Sequence, residues 1–281
     1  MLLFKTKKAL RSHLSSLNSK NKLGFVPTMG ALHHGHAELV KQAVLENNYV
    51  VVSIFVNPTQ FDNKKDLEKY PKTLKADMAL LEVISKDILV FTPSISEIYQ
   101  DKVIAKTYNF NGLDKVMEGT YRNNHFNGVG TIVESLFRAV LPNKAYFGEK
   151  DFQQLQIIKK MVAIQKLPVN VVGCPIVRER SGLAMSSRNE RLSKTMRSEA
   201  AFIYATLKAT KVKFGTKSAK LVVQWVNEQF NNHPSLKLEY FEITDTDTLT
   251  PIIKKEENKK YRAFIAVYAE GVRLIDNIAL N

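Results

Sequence analysis

Over the first two thirds of the chain, short apolar runs alternate with stretches whose apolar residues recur at helical spacing. Leu23 to Val26 reads as a buried strand, and Ala37 to Asn47 carries Leu39, Val40, Ala43 and Val44 on one helical stripe. Tyr49 to Val56 is apolar almost throughout, the pattern of a strand covered by helices on both faces, and it stops at Asn57-Pro58-Thr59-Gln60-Phe61. A loop rich in lysine and aspartate follows. Thr73 to Ser85 returns to helical spacing through Leu74, Met78, Leu81 and Val83, and Asp87 to Thr92 is a third strand. Beyond an irregular stretch come a helix over Asn127 to Leu141 stopped by Pro142, a short strand at Ala145 to Phe147, a helix over Asp151 to Lys166 closed by Pro168, and a strand at Val169 to Cys174. Strands and helices in alternation predict a parallel sheet with right-handed crossovers.

After Cys174 the rhythm changes. Two helices, Ser193 to Lys211 and Ser218 to Asn231, precede alternating strands at Leu236 to Thr244 and Arg262 to Ala269. The fold class expected is α/β, a Rossmann-like parallel sheet flanked by helices with a smaller C-terminal α/β domain. The boundary falls near Ile176, dividing the chain into 1–176 and 177–281. Neither a Gly/Ser-rich linker nor an internal repeat is present.

Composition adds limits. At 281 residues, 44% hydrophobic and 24% charged, the chain can bury a full core. None of its apolar runs approaches the roughly 20 residues that span a bilayer. Met1 to Leu14 lacks the long apolar core of a secretory signal. Lys5, Lys7, Lys8 and Arg11 among Ser and Leu imitate a transit peptide, but a first strand by Leu23 leaves little to remove, so a cytoplasmic, reducing location is expected. The single cysteine, Cys174, sits in an apolar run and fits a buried reduced thiol. The net charge of +14 invites a nucleic-acid partner. Its lysines are scattered, with runs at Lys5 to Arg11 and Lys254 to Lys260 that suit solvated faces, and no aromatic-basic signature accompanies them. Neither a nucleic-acid nor a membrane partner is expected.

Four polar strings fall just past the carboxyl ends of predicted strands, the edge where open parallel sheets bind ligands: Met29 to His36, Asn57 to Phe61, Gly148 to Gln154, and Met185 to Asn189. In the first, Pro27-Thr28-Met29-Gly30 leads to His33-His34-Gly35-His36 at the opening of a helix. Such an opening aims backbone N–H groups and a positive dipole end at an anion. His33 and His36 lie three apart and share a face, so two neutral donors meet one phosphate chain. A histidine-rich helix start or a metal site are the alternatives; only His13, His125 and His233 remain as further histidines, and no metal-ligand spacing occurs. The other strings also have plain structural readings: a turn at Asn57-Pro58, a capping box from Asp151 to Gln154, a loop at Ser186-Ser187.

Taken together, Phe25 to His36, Ser53 to Phe61, Phe147 to Leu155 (Phe-Gly-Glu-Lys-Asp-Phe-Gln-Gln-Leu) and Leu183 to Asn189 (Leu-Ala-Met-Ser-Ser-Arg-Asn) resemble the pantoate:β-alanine ligase family of the His-x-Gly-His nucleotidyltransferase superfamily. Order and spacing match, and the likeness runs to Leu274-Ile275-Asp276-Asn277. It implies two steps: pantoate's carboxylate attacks the α-phosphate of ATP to give pantoyl adenylate and pyrophosphate, and β-alanine then displaces AMP to give pantothenate. On the resemblance, His36 is the catalytic histidine, and His33, Lys150, Ser186, Ser187 and Arg188 assist it with the phosphates. ATP is assigned to Met29, Gly30, Ala31, Leu32, His33, His34, Gly35, His36, Gly148, Glu149, Lys150, Asp151, Val177, Met185, Ser186, Ser187 and Arg188. Gly148 and Asp151 are read as ribose contacts, Val177 and Met185 bracket adenine, and His34, at the variable position, has no catalytic role. Gln60 and Gln154 suit pantoate's carboxylate and hydroxyls. Pro27, Met29 and Phe61 would enclose its methyl groups, and Asn57 and Arg122 lie on the same side. Asp77 matches an acid near the magnesium-phosphate end, with Mg2+ carried mainly by ATP oxygens and water.

The resemblance also implies a homodimer, a nucleotide- and pantoate-binding first domain and a lid-like second one. Where the family commonly has Arg-Pro-Gly-His-Phe, this chain has Arg122-Asn123-Asn124-His125-Phe126; asparagine tolerates turn geometry nearly as glycine does. Met185 to Asn189, preceded by Arg178-Glu179-Arg180-Ser181-Gly182, is expected to gate the triphosphate. A different nucleotidyltransferase would share the histidine turn without Gln60 and Gln154.

Overall fold

The parallel sheet is built from runs with no polar face. Val50 to Val52 and Leu89 to Phe91 are buried on both sides of the pleat, as a sheet between helix layers requires. The structure, a computed structural model, describes residues 1–18, 20–61, 67–68, 70–99 and 102–281. The lysine- and aspartate-rich loop expected after Phe61 lies largely outside them. Two units divide the chain. The first is Met1–Asp114, Glu118–Glu149 and Gln154–Pro175; the second is Lys115–Met117, Lys150–Gln153 and Ile176–Asn281.

Through the first unit the order is β1 (Leu2–Phe4), α1 (Lys7–Ser15), β2 (Leu23–Thr28), α2 (His34–Glu46), β3 (Tyr49–Ile54), α3 (Leu74–Ile84), β4 (Leu89–Phe91), α4 (Ile95–Tyr99), α5 (Glu118–Tyr121), α6 (His125–Val140), β5 (Lys144–Gly148), α7 (Phe152–Ile164, its first two residues counted with the second unit) and β6 (Asn170–Cys174). Short 3-10 turns cover Pro58–Gln60 and Glu149–Asp151. Six strands pair in parallel in the order β1-β4-β3-β2-β5-β6. Strand succession therefore runs outward from β2 through β3 on one side and from β5 to β6 on the other. At such a reversal the loops leaving the carboxyl ends diverge and open a crevice. The core beneath it joins Val26, Val40, Val50, Val52, Leu81, Val90 and Tyr146.

The far end of α2 is pinned to the sheet. Lys144 Nζ lies 2.7 Å from Glu46 Oε2, and Asn47 Nδ2 donates to Tyr146 Oη over 2.7 Å. Hydrogen bonds from Lys144, Gln42 and Tyr146 hold the Glu46 carboxyl at about 2, while burial pushes the Cys174 thiol up to about 11 and keeps it an inert thiol.

The second unit carries α8 (Lys194–Glu199), α9 (Ala201–Thr216), α10 (Ala219–Asn231) and the antiparallel sheet β7 (Leu236–Asp245), β8 (Tyr261–Ala269), β9 (Val272–Ala279) in that order. Ser193 and Ser218 cap the amides of Met196 and Leu221, which is why helices begin there. Leu207, Val222, Val226, Phe230, Ile243 and Ile265 form its core. Where one helix was expected over 193–211, Ala200 bonds back to Met196 and Ser198 and separates two. Among the described residues no helix is long and apolar enough to cross a membrane.

Candidate active site

The loop after β2 reverses direction in two steps, with Gly30 at φ 81° and Ala31 at φ 50°. A Cβ on Gly30 would stand 3.0 Å from both Asp77 Oδ2 and Ile54 Cγ2, so only glycine fits. The Thr28 hydroxyl donates to the Ser53 carbonyl and accepts from Gly30 N at 3.2 Å. Asp77, buried on α3, takes Ala31 N at 3.2 Å on Oδ2 and Leu32 N at 2.8 Å on Oδ1, with the Thr73 hydroxyl as a third donor. The acid expected at the magnesium end thus spends both oxygens on the loop's own backbone.

Helix α2 is capped by histidine. His33 Nδ1 accepts from Gly35 N at 3.1 Å, and His36 Nδ1 accepts from His33 N at 3.3 Å, a reciprocal box of the kind Ser and Glu usually form. A ring nitrogen that accepts carries no hydrogen, so in each neutral imidazole the proton sits on Nε2. Ring centroids 4.1 Å apart place these two N–H groups side by side. The row of open amides expected here differs from what the loop provides: Gly30, Ala31, Leu32, His33 and Gly35 N–H all have acceptors inside the protein. His34 points away, exposed, with Glu38 3.6 Å distant.

Gln60 is buried in the 3-10 turn after β3. Its Oε1 accepts from Asn57 Nδ2 at 3.1 Å and its Nε2 donates to Met29 Sδ, which ties the second string to the first. The Gln60 carbonyl is held by His125 Nδ1 at 2.8 Å and Arg122 Nη2 at 3.4 Å. Arg122 thus reaches the site despite its altered loop, because Asn124 adopts the left-handed φ of 57°. Phe61 meets Tyr70 edge to face. Asn57 is wholly buried, engaged by Gln60, the Gly128 carbonyl, Thr59 and Tyr99. Gly148 ends β5, followed by Glu149, and Gln154 is half-buried on α7.

Lys150 and Asp151 fall in the second unit with the serine string. Val177 and Met185 meet there, Met185 N donating to the Val177 carbonyl at 3.0 Å, above a bridge between Arg178 and Ala184. Ser186 caps the following turn by accepting from Arg188 N at 3.2 Å. Glu179 accepts from Asn189 Nδ2 at 2.7 Å and from Arg197 Nε at 2.9 Å; burial raises its pKa, but these bonds outweigh burial and hold it below the usual carboxylate range. Arg178 grips Asp276 through both Nη atoms, at 2.6 and 3.0 Å, and Asn277 Nδ2 donates to the Lys150 carbonyl at 2.9 Å. Two adjacent residues of β9 therefore anchor Lys150 and the segment that leads into the serine string.

His125 and Tyr99 support Gln60 and Asn57 in the first unit, and Asp276 supports Arg178 in the second, without having been assigned from the chain alone. Adjacent aspartate and asparagine within the largely apolar run Leu274 to Ala279 were the available signal, at Asp276-Asn277. Among the described residues no group of three or more His, Cys, Asp or Glu is gathered to hold a metal.

Comparison with known proteins identifies the family. The family model described as pantoate-beta-alanine ligase matches residues 2–279. The pantothenate synthetases of Christiangramia forsetii and Flavobacterium psychrophilum are 56% and 50% identical, each over 100% of both chains. Among solved structures, pantothenate synthetase from Thermus thermophilus superposes with a TM-score of 0.91 at 39% identity, covering 100% of this chain and 99% of that one. The pantoate-beta-alanine ligase of Francisella tularensis, solved with beta-gamma ATP and β-alanine, gives 0.80 at 36%, covering 100% and 98%. From strand β1 to the end of β9, the chain belongs to the pantoate-beta-alanine ligase family.

Proposed function

We propose that the four strings divide the family's reaction among them, and that the histidine turn carries its first step. The chain condenses pantoate with β-alanine at the expense of ATP: a pantoate carboxylate oxygen attacks the α-phosphorus, pyrophosphate leaves, and the β-alanine amine then displaces AMP from the acyl carbon. Charge accumulates on phosphate oxygens in the first step, so fixed donors matter more than a side-chain nucleophile. The observation that carries this reading is the pair of Nδ1-capped histidines, whose Nε2–H groups are set before any ligand arrives.

His36 is assigned to the reacting phosphate and His33 to its neighbour, with Lys150, Ser186, Ser187 and Arg188 as further donors. Met29 to His36 and Gly148 to Asp151 line the nucleotide, Gly148 and Asp151 at the ribose and Val177 with Met185 at adenine. Gln60 and Gln154 hold pantoate, with Pro27, Met29 and Phe61 around its methyl groups. Asn57 and Arg122 act by holding Gln60. Asp77 is assigned to the loop backbone, and Mg2+ to the phosphate oxygens of ATP and water. The resemblance supports a lid role for residues 177–281, a homodimer and a cytoplasmic location.

Pyrophosphate exchange into ATP tests the reading. Exchange should require pantoate and Mg2+ and proceed without β-alanine. A folded, magnesium-supplied protein that exchanges nothing has no adenylate mechanism.

A further inference from the structure

The two ends of a glutamine amide have opposite chemistry, and which end of Gln60 faces the ligand decides what it can recognise. Its neighbours set the choice. The Gly128 carbonyl can only accept, and Asn57 Nδ2 lies 3.2 Å from it, so that end of Asn57 is its NH2. The second hydrogen of the same nitrogen goes to Gln60 Oε1, 3.1 Å away. At the opposite end, the Thr59 hydroxyl and the Tyr99 phenol lie 2.8 Å apart and both stand within hydrogen-bond reach of Asn57 Oδ1, so one of their two hydrogens links the pair and the other goes to Asn57 Oδ1. Both hydrogens of Asn57 are then used, and its oxygen has its donor.

Helix α6 can deliver the Gly128 carbonyl only because glycine has no Cβ; one there would lie 2.3 Å from the Thr59 carbonyl oxygen. Burial pushes the Tyr99 phenol above its ordinary pKa, so it stays a donor throughout the neutral range. With Oε1 occupied, Gln60 turns Nε2 toward Met29 Sδ. A thioether is a weak acceptor, and an incoming oxygen displaces it at little cost.

We propose that Tyr99 and Thr59, through Asn57, lock Gln60 with its N–H donor facing the substrate, so that Gln60 reads an oxygen acceptor on pantoate and Tyr99 is a positioning residue for that recognition. The proposal rests on the assignment of Gln60 to the pantoate pocket. It makes Gln60 selective: an acid bearing an oxygen at that point is held, and one bearing a methyl leaves a buried amide unsatisfied.

The test is the KM for pantoate and for ATP in the wild type, Tyr99→Phe, Thr59→Val, Thr59→Ser and Gln60→Glu. Tyr99→Phe should raise pantoate KM about two- to tenfold and leave ATP KM unchanged. Thr59→Val should act in the same direction and Thr59→Ser restore the wild-type value, which decides the matter should Tyr99→Phe fold poorly. Gln60→Glu, keeping the acceptor and losing the donor, should lose pantoate saturation while still binding ATP. An unchanged pantoate KM in folded Tyr99→Phe and Thr59→Val, an equal rise for both substrates, or a Gln60→Glu enzyme that saturates normally would each overturn the lock. Wild-type protein without pantoate-dependent pyrophosphate exchange overturns the site assignment itself; exchange that persists while Tyr99→Phe and Thr59→Val stay silent overturns only the relay.

Discussion

The histidine turn and the serine string are both assigned to phosphate, yet they are held by opposite means. Around Gly30 to His36 the backbone bends through left-handed geometry and donates its amides to protein acceptors: the Thr28 hydroxyl, the buried Asp77 carboxylate and two imidazoles. Its ring N–H donors are fixed by the bonds that cap the helix. The segment from Val177 to Arg191 is instead a short bridged turn tied down by charge. Glu179 joins Asn189 to Arg197, whose side chain is 36% exposed, and Arg178 joins Asp276. Rigid neutral donors suit charge that appears only in the transition state, because they need no rearrangement when it forms. A cationic string held partly by exposed pairs suits ground-state attraction to a polyphosphate and responds to salt and pH.

Breaking the first arrangement should cost most. His36→Ala removes a preset donor and the acceptor for His33 N, and should slow single-turnover adenylate formation by about 10²- to 10³-fold. A rate near that of the wild type would remove His36 from the chemistry. Asp77→Ala leaves the Ala31 and Leu32 amides without their buried acceptor, a loss of about 2–4 kcal/mol in denaturant unfolding. Adenylation should fall by roughly tenfold to a hundredfold through the displaced turn. Loss of Mg2+ dependence alone, with stability intact, would instead make Asp77 a metal ligand.

In the second arrangement the effects should be smaller and selective. Ser187→Ala and Arg188→Ala each remove one ground-state contact and should lower kcat/KM for ATP in adenylation by about tenfold, chiefly through KM, while amide formation on supplied pantoyl adenylate changes less. Equal losses in both half-reactions would mean that the string positions the acyl group. Hydrogen exchange sharpens the point about a gate: Glu179, Gly182, Met185 and Asn189 amides already have backbone acceptors. They should exchange slowly without ligand, and ATP should add protection mainly between them, at Ser186 to Arg188.

What was legible follows from the same difference. Strands β2 to β5 stand out because their central residues are apolar and buried on both faces, β6 because Val171 and Val172 continue an apolar run, and the four strings stand out because they interrupt that pattern at strand ends. Strand β1 does not, since Leu2 and Leu3 are half-exposed at a sheet edge, and α1 behind it reads as a basic leader. Strand β9 is hidden by Asp276 and Asn277, polar residues buried because Arg178, Arg262 and Lys150 meet them. Supports of the site are the least visible. Asp77 lies 45 and 46 residues from the amides it holds, and Tyr99 lies 42 from Asn57. No local pattern marks an acceptor whose donor is brought to it only by the sheet.

The smallest expected effect is the most direct test of charge as the anchor of the serine string. The ordinary value for Glu179 is 4.5; burial alone would raise it, but Arg197 and Asn189 outweigh burial and depress it in the folded state. A depressed carboxyl contributes stability that is fully present above its unfolded value and is lost as pH falls through the folded one. Wild-type protein should therefore exceed Glu179→Gln in stability by about 1 kcal/mol at neutral pH, a modest figure because Arg197 is more than a third exposed. The gap should close as pH falls below 4.5 and through the lower folded value. Added salt at neutral pH should narrow it too, while leaving the Asp77→Ala deficit, which arises from buried amides, nearly untouched. Thermal unfolding of the two variants against pH and salt separates these cases: a Glu179→Gln gap that persists unchanged below the folded pKa would mean that Glu179 acts through packing, and the contrast between the two phosphate strings would lose its electrostatic basis.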